Sequence, residues 1–179
     1  MKSEPFAVRN ATADDVPAIA AIYSHHVVTG TASFELAPPT IDEMRERFDA
    51  CWRGDYPYLA AERGGRIVGY AYAGPYRARP AYRHTVENSV YVDANDVGRG
   101  IGSALLAILV EQCEARGFRQ MIAIIGGADN AASIGLHAKH GFAETGRLLA
   151  VGHKHNRWLD TVLMQRALGP GAGGPPTRP

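Results

Sequence analysis

The stretch DANDVGRGIGSALLAILVEQ, Asp93 to Gln112, decides how this sequence folds and what it binds. Glycines alternate with other residues between positions 98 and 102, and apolar residues then recur every four residues from Ile101 to Cys113, which predicts an amphipathic helix. Glycines let backbone N–H groups approach a ligand, and a helix start favours a negative group. The stretch therefore predicts a phosphate site, although a plain glycine-rich turn before a core helix would give the same short pattern.

Two familiar phosphate loops fit this stretch poorly. A P-loop needs Gly-Lys-Ser/Thr, and no lysine follows these glycines. A dinucleotide fingerprint needs G-x-G-x-x-G/A and an acidic residue near the end of the next strand. Here the third position is Ser103, and the next strand ends in Gly126-Gly127. A nucleotide-dependent oxidoreductase is therefore a distant alternative.

Length and composition favour one domain in the cytoplasm. The 179 residues carry a formal net charge of +1, so bulk charge gives no reason to expect a nucleic-acid partner. No apolar run is long enough to span a bilayer and the N-terminus has no signal-peptide core, so we expect no membrane partner. Cys51 and Cys113 lack CxxC spacing and are expected to be buried free thiols in a reducing compartment.

The order of predicted elements indicates a single α/β domain with a mixed, mostly antiparallel sheet. Capping-box patterns at Thr12–Asp15 and Thr40–Glu43 each precede a helical segment. Two alternating strands flank Arg63-Gly64-Gly65, which suits a tight hairpin. The strands at 85–92 and 120–127 lie on either side of the glycine stretch in one β-α-β crossover, so we expect them to be parallel neighbours.

The domain is expected to span residues 7–168. The remaining segment, GPGAGGPPTRP at 169–179, is too rich in glycine and proline to pack a core. It is therefore predicted to be disordered.

The strand, glycine loop and helix resemble the coenzyme A site of the GCN5-related N-acetyltransferases. The loop of that family reads Arg/Gln-x-x-Gly-x-Gly/Ala, which residues 97–102 match except at the first position, Val97. Asn130, followed by a helix that ends in Gly141-Phe142, resembles a later motif of the family. YAGPYRARPAYRHTVENSVYVD, NAASIGLHAKHGF and GHKHNRWLD are similar to the phosphinothricin and methionine-sulfoximine acetyltransferase branch. The similarity runs from about Val8 to Leu168.

The resemblance implies the family's fold, with helices on both faces of the sheet and splayed central parallel strands, and acetyl-CoA as the co-substrate. It implies that the backbone of Val90, Tyr91 and Val92 pairs with the pantetheine arm like an added strand. It also implies that Asn130 contacts the coenzyme near its reacting end. The pyrophosphate is expected to be held by Gly98, Arg99, Gly100, Ile101, Gly102 and Ser103.

Glu87 lies in TVENSVYV, where a period of two puts Glu87, Ser89 and Tyr91 on one face. A carboxylate among β-branched residues is costly to bury, so the residues alone slightly favour an exposed or salt-bridged side chain. The resemblance implies instead that Glu87 is the general base, acting on the amine directly or through water, with a pKa raised by partial burial.

His137 occupies a position at which most of the superfamily has a tyrosine that can protonate the departing thiolate. The phosphinothricin-type branch has histidine here, and an imidazole can do the same work at neutral pH. The alternative is a histidine that caps the helix or is satisfied in the core, which is the better explanation for His140.

The resemblance places the acceptor site beside the loop that follows YAYAGPY. Arg77 and Arg79 are expected to pair there with carboxylate or phosphinate oxygens, although solvated arginines are the usual outcome in loops. A backbone N–H of the Val90–Val92 strand is expected to polarise the thioester carbonyl. The expected acceptor-contacting residues are Phe34, Arg77, Ala78, Arg79, Glu87, Asn88 and Ser89.

These residues predict an acetyl-CoA-dependent N-acetyltransferase that acts on the α-amine of a small amino-acid-like acceptor. The alternatives are acetylation of a protein N-terminus or another amine, and a non-catalytic coenzyme A-binding sensor. We expect no metal, because the seven histidines lack an accompanying Cys or carboxylate cluster at ligand spacing. A homodimer is expected by resemblance alone.

Overall fold

A computed structural model describes residues 5–176 and 178 as seven strands and four α-helices. The helices are α1 (Val16–Thr29), α2 (Ile41–Arg53), α3 (Ile101–Ala115) and α4 (Ala131–Lys139). The strands are β1 (Ala7–Asn10), β2 (Tyr58–Arg63), β3 (Arg66–Pro75), β4 (Thr85–Val92), β5 (Gln120–Gly126), β6 (Ala143–Lys154) and β7 (Arg157–Ala167).

The strands form one sheet in the order β1-β2-β3-β4-β5-β7-β6. Within the described part of the chain, β4 and β5 are parallel, and every other pair of neighbouring strands is antiparallel. This confirms the predicted mixed, mostly antiparallel sheet. The predicted hairpin joins β2 to β3, and Gly64 (φ 56°) and Gly65 (φ 74°) supply the left-handed backbone that its tight turn requires.

The parallel pair of strands opens partway along its length. Thr85 to Asn88 pair with Gln120 to Ala123, and the pairing ends there although β4 continues to Val92 and β5 to Gly126. The two strands therefore splay, as predicted. The second half of β4 keeps its other edge paired with β3, so one row of backbone groups faces the gap.

Helices cover both faces of the sheet, as the resemblance implied. Alternation along β2 directs Leu59 and Ala61 into the cluster around α3, and Tyr58 and Ala60 into the cluster around α1 and α2. All four are buried. Burial of apolar surface on both faces contributes about 25 cal/mol per Å² and is the main source of stability.

Helix α3 lies close to β3 because Gly69 has no side chain. A Cβ on Gly69 would lie 3.0 Å from both the carbonyl oxygen of Tyr91 and Cγ2 of Ile101. Leu105 and Leu109 of this helix have no exposed surface. The predicted amphipathic helix is therefore packed tightly on β3, the neighbour of β4.

Both predicted capping boxes form. The N–H of Thr12 donates to the Asp15 carboxylate (2.8 Å), ahead of a short 3-10 turn that leads into α1. The N–H of Thr40 donates to Glu43 (2.7 Å), and the N–H of Glu43 donates to the Thr40 hydroxyl (3.2 Å), at the start of α2. These bonds satisfy amide groups that a helix start leaves without intrahelical partners.

Two further expectations concern the thiols and the membrane. Cys51 and Cys113 are buried free thiols, as predicted. Burial raises the pKa of Cys51 to about 11 and that of Cys113 to about 12. In residues 5–176 and 178, no helix combines the length and the hydropathy needed to cross a bilayer.

The segment after β7 makes contacts that its composition did not predict. The buried Arg119 guanidinium donates to the carbonyl oxygens of Gly171 (2.7 Å), Gly174 (3.1 Å) and Pro175 (3.1 Å). A buried guanidinium needs acceptors, and this segment supplies them from its backbone. The part of 169–176 that holds these carbonyls thus lies against the domain.

Candidate active site

A cavity of about 450 Å³ occupies the gap between β4 and β5. Its walls come mainly from β4, β5, the loop after α1 and α4. The predicted site residues that line it are Phe34, Glu87, Asn88, Ser89, Val90, Tyr91, Asn130 and His137. Residues distant in sequence on both sides of the glycine stretch are thus brought together.

The open edge of β4 offers backbone groups to the gap. The N–H of Asp93 donates to Val68 (3.0 Å) and the N–H of Tyr76 donates to Thr85 (3.4 Å), so odd-numbered residues of β4 bond to β3. Antiparallel strands alternate in this way, so Val90 and Val92 direct their N–H and C=O groups to the opposite side. The Val92 carbonyl accepts from the His26 ring (Nε2···O 2.8 Å), which leaves Val90 with both groups toward the gap.

Glu87 is half-buried on the wall of the cavity. Burial raises the pKa of its carboxyl above the ordinary value, and the positive charge of Arg77 opposes that shift. A raised pKa makes the carboxylate a stronger base than it would be in water. The position therefore suits a group that accepts a proton from an ammonium.

His137 is buried and held at both ring nitrogens. Its Nδ1 lies 2.8 Å from the carbonyl oxygen of Ser133, and its Nε2 lies 2.9 Å from Oδ1 of Asn88. The orientation of the Asn88 amide follows from its other contact, because Nδ2 donates to the carbonyl oxygen of Ile122 (3.1 Å). The Asn88 side chain thus links β5 to α4.

Three effects of differing sign act on the protonation of His137. Burial lowers the pKa of His137, whereas the contact with the Ser133 carbonyl acts to raise it and the neighbouring His140 acts to lower it. Both ring nitrogens face oxygen acceptors, which only the doubly protonated ring satisfies completely. His137 is therefore placed to hold a proton that burial makes easy to release.

The glycine stretch forms a loop that ends at the start of α3. Gly98 (φ 77°) and Gly100 (φ 82°) adopt left-handed backbone that other residues rarely adopt, and a Cβ on either would meet no atom within 4 Å. Gly100 is the N-cap of α3, so the unpaired N–H groups of the first turn open toward that space. The geometry fits the predicted anion site.

A buried carboxylate anchors this loop, and the sequence reasoning missed it. Asp96 is 1% exposed and lies within an arginine cluster. Its carboxylate accepts from Arg63 and, at 2.7 Å, from Arg66 on the β2–β3 hairpin, and Arg99 lies 3.4 Å away. The loop before α3 is therefore tied to the neighbouring strands by charge.

Not all predicted site residues line the cavity. Arg77, Ala78 and Arg79 lie on the exposed segment after β3, where the Arg77 guanidinium stacks 5.0 Å from the centre of the Tyr76 ring. The cavity lining also excludes Val92 and residues 98–103. The structure therefore does not place these residues on the wall of the cavity.

The loop after α1 is fixed by polar contacts. Lys154 Nζ donates to the Ser33 carbonyl oxygen (2.7 Å), and the Ser33 hydroxyl lies 2.8 Å from the Tyr23 hydroxyl. The Glu35 carboxylate accepts from Tyr23 (3.0 Å) and Arg47 (2.7 Å). These bonds hold the segment that carries Phe34 against α1, α2 and β6.

Asn130 and the histidines have structural partners. The side chain of Asn130 caps α4 by accepting from the N–H of Ser133 (3.2 Å), and it also lines the cavity. His140 Nε2 lies 2.8 Å from the Ser103 hydroxyl, so it ties α4 to α3. Among the described residues, no group of three His, Cys, Asp or Glu side chains is arranged to hold a metal ion.

The chain belongs to the GNAT acetyltransferase family. Residues 8–163 match the sequence model of the family described as "Acetyltransferase (GNAT) domain". The seven-stranded sheet, the splayed parallel strands and the glycine loop before α3 agree with that assignment. The predicted family and fold are confirmed.

Similarity to named relatives narrows the activity class of this chain. A phosphinothricin N-acetyltransferase from Alcaligenes faecalis is 53% identical over 164 residues, which cover 92% of this chain and 83% of the relative. An L-methionine sulfoximine/L-methionine sulfone acetyltransferase from Pseudomonas paraeruginosa is 41% identical over 169 residues, which cover 94% and 98%. The predicted activity class, N-acetyltransferase, is confirmed.

Similarity to solved structures supports the same family and activity class. A GNAT superfamily phosphinothricin acetyltransferase from Sinorhizobium meliloti, in complex with AcCoA, matches with a TM-score of 0.94 at 47% identity over 96% of this chain and 93% of its own. A ribosomal-protein-alanine N-acetyltransferase from Brucella melitensis matches with a TM-score of 0.88 at 42% identity over 90% and 99%. Family membership and the AcCoA complex support acetyl-CoA as the coenzyme.

The protonation of His137 provides a test of the site geometry. Asn88→Asp places a carboxylate beside Nε2 and is expected to raise the pKa of His137 by about one unit or more, whereas Asn88→Leu removes the acceptor and is expected to lower it. NMR titration of the histidine rings measures both, with His137→Phe to assign the signal. An unchanged His137 pKa in both variants would contradict the proposed contact.

Proposed function

We propose that this chain acetylates the α-amine of a small free amino acid with a tetrahedral polar end group, such as phosphinothricin, methionine sulfoximine or methionine sulfone. Glu87 carries the proposal, since it is a half-buried carboxyl of raised pKa on the wall of the cavity. It lies three residues before Val90, the residue with backbone groups toward the gap. The acceptors for which the relatives are named support this choice.

The open end of the sheet fits acetyl-CoA, which supplies an acetyl thioester when bound. The gap-facing C=O of Val90 and the N–H of Val92 offer a strand-like edge to an amide-bearing pantetheine arm. The N–H groups that open from the glycine loop offer donors to a pyrophosphate, with the dipole of α3 behind them. Residues 98–103 and Asn130 remain the proposed coenzyme contacts.

The proton transfers follow from the placement of Glu87 and His137. An ammonium has no lone pair, so Glu87 takes a proton from the acceptor, directly or through water. The N–H of Val90 stabilises the negative charge that develops on the thioester oxygen. His137 borders the same cavity and donates a proton to the thiolate that leaves as the carbon–sulfur bond breaks. Burial favours the neutral ring that this donation leaves. The second proton of the acetylated nitrogen passes back to that ring.

The exposed segment after β3 is proposed to recognise the acceptor. The charge of Arg77 acts on Glu87, so the guanidinium lies near the base. Arg77 and Arg79 are proposed to pair with the α-carboxylate and the tetrahedral end group, one each. A protein N-terminus lacks the neighbouring free carboxylate and leaves one arginine unpaired.

Glu87→Gln is expected to lower turnover about 10²–10⁴-fold at neutral pH, because the general base is lost. Activity is expected to recover partly at higher pH, where more of the amine is already neutral. A thiol-release assay over a range of pH measures both effects. Glu46→Gln, on the exposed surface of α2, is the matched control. A loss below about threefold would remove Glu87 from this role.

A panel of acceptors tests the substrate. Free coenzyme A is expected from phosphinothricin, methionine sulfoximine and methionine sulfone, with little from peptides. Arg79→Ala is expected to raise KM more than it lowers kcat, with about a tenfold to hundredfold loss in kcat/KM, because the pairing exists before and during the reaction. Arg83→Ala, on the same exposed segment, is the control.

The panel also decides between the alternatives. Faster reaction with peptides bearing free N-termini would favour the second candidate, which the Brucella melitensis neighbour supports through its name. Absence of thiol release with every amine would favour a coenzyme A-binding sensor.

We further propose a homodimer that forms through the β6–β7 hairpin in the cytoplasm. Leu149, Val151 and Trp158 of this hairpin are 73%, 53% and 68% exposed. Grouped exposed apolar side chains of this size mark interaction surfaces. Sedimentation equilibrium is expected to give a dimer for the wild type and a monomer for Leu149→Asp. A monomeric wild-type protein would refute the pairing.

A further inference from the structure

The Phe34 ring lies in a slot between two glycines on different strands. A Cβ on Gly152 of β6 would lie 2.6 Å from Cδ2 of the ring, and a Cβ on Gly126 of β5 would lie 2.7 Å from Cε1. These atoms belong to opposite edges of the ring. Neither glycine has positive φ, so backbone conformation does not account for the missing side chains. At Gly152 the atoms nearest an added Cβ all belong to the Phe34 ring, whereas at Gly126 an added Cβ would also meet the carbonyl oxygen of Thr31.

The loop that carries Phe34 cannot easily retreat from this slot. Ser33 is bonded through its carbonyl oxygen to Lys154, two residues beyond Gly152 on β6, and through its hydroxyl to Tyr23. On the other side, Glu35 is bonded to Tyr23 and Arg47. With its flanking residues fixed, the ring is the part that must respond to a change in the slot.

The ring also forms part of the wall of the cavity. Phe34 is 39% exposed, and it lines the cavity together with Glu87. Gly126 and Gly152 confine the Phe34 ring at its two edges. The ring therefore has room to move only toward the open space of the cavity. Extra volume at Gly152, where the atoms nearest an added Cβ are those of the ring, would move the ring toward the cavity.

We propose that Gly126 and Gly152 determine which acceptors the enzyme accepts, because the slot between them keeps the Phe34 ring out of the space that the acceptor's side chain fills. This inference rests on the proposed function, since it concerns the acceptor in the same cavity. The open slot favours acceptors that are amino acids with a bulky tetrahedral end group. Closing the slot favours acceptors without such a group.

Gly152→Ala tests the proposal. It is expected to raise KM for phosphinothricin and methionine sulfoximine at least about tenfold, with a much smaller change in kcat, because packed sites respond to an added methyl group by displacement of neighbours. Any activity on glycine, which has no side chain to meet the ring, is expected to change far less. The affinity for acetyl-CoA, measured by calorimetry, is expected to stay the same.

Two further variants make the result specific. Gly146→Ala lies on the same strand, where an added Cβ meets no atom within 4 Å, and it is expected to behave as the wild type. Phe34→Ala in the Gly152→Ala protein removes the clashing ring and is expected to bring KM to the value of Phe34→Ala alone. If Gly152→Ala folds poorly, recovery of folding and activity in the double variant supports the proposed role of the slot. Lack of recovery overturns that role.

The outcomes separate this proposal from the proposed function. Equal KM values in Gly152→Ala and Gly146→Ala overturn the role of the slot while the acceptor assignment stands. If the wild type releases no coenzyme A with free amino acids, the proposed function fails. The same pair of variants, assayed with the amine that the wild type does use, then decides whether the slot controls acceptor size.

Discussion

The separation of β4 from β5 after Asn88 is the constraint on which the rest of the structure depends. A buried strand normally pairs on both edges, because unpaired backbone groups are costly away from water. Over the second half of β4 the pairing with β5 is absent, and the backbone N–H and C=O groups of Val90 face a cavity. A ligand with amide groups in the gap would satisfy these backbone groups, which supports the proposed pairing of Val90 with the pantetheine arm.

Asn88 marks the point at which pairing ends and the site begins. It is the last residue of β4 that pairs with β5, and its side chain bonds both to Ile122 of β5 and to His137 of α4. One residue earlier, Glu87 lines the same cavity from the other face of the strand. Burial raises the pKa of Glu87 and lowers that of His137, so burial favours the uncharged form of both groups.

Much of the fold could be predicted from local patterns. Capping boxes, strand alternation and the hairpin at Gly64-Gly65 are properties of neighbouring residues, and each was confirmed. The family and activity class followed from motifs, chiefly the glycine loop. The coenzyme-contacting and acceptor-contacting residues remain predictions, although the structure brings most of the central ones to one cavity.

The residues that sequence reasoning missed act through contacts between distant segments. Asp96 lies inside the glycine stretch, but its burial depends on Arg63 and Arg66, which only the folded hairpin brings near. Gly126 and Gly152 read as ordinary strand glycines until Phe34 is placed between them. His26 shares the buried face of α1 with Tyr23, and only the docked helix reveals its bond to Val92.

The docking of the segment after β7 on Arg119 has a consequence for which sequence changes the segment tolerates. The acceptors of the buried guanidinium are the backbone carbonyl oxygens of Gly171, Gly174 and Pro175, and no side chain of the segment takes part in these bonds. Substitutions that preserve the path of the backbone therefore keep the three bonds. Loss of that path leaves a buried cation without acceptors, which is strongly destabilising.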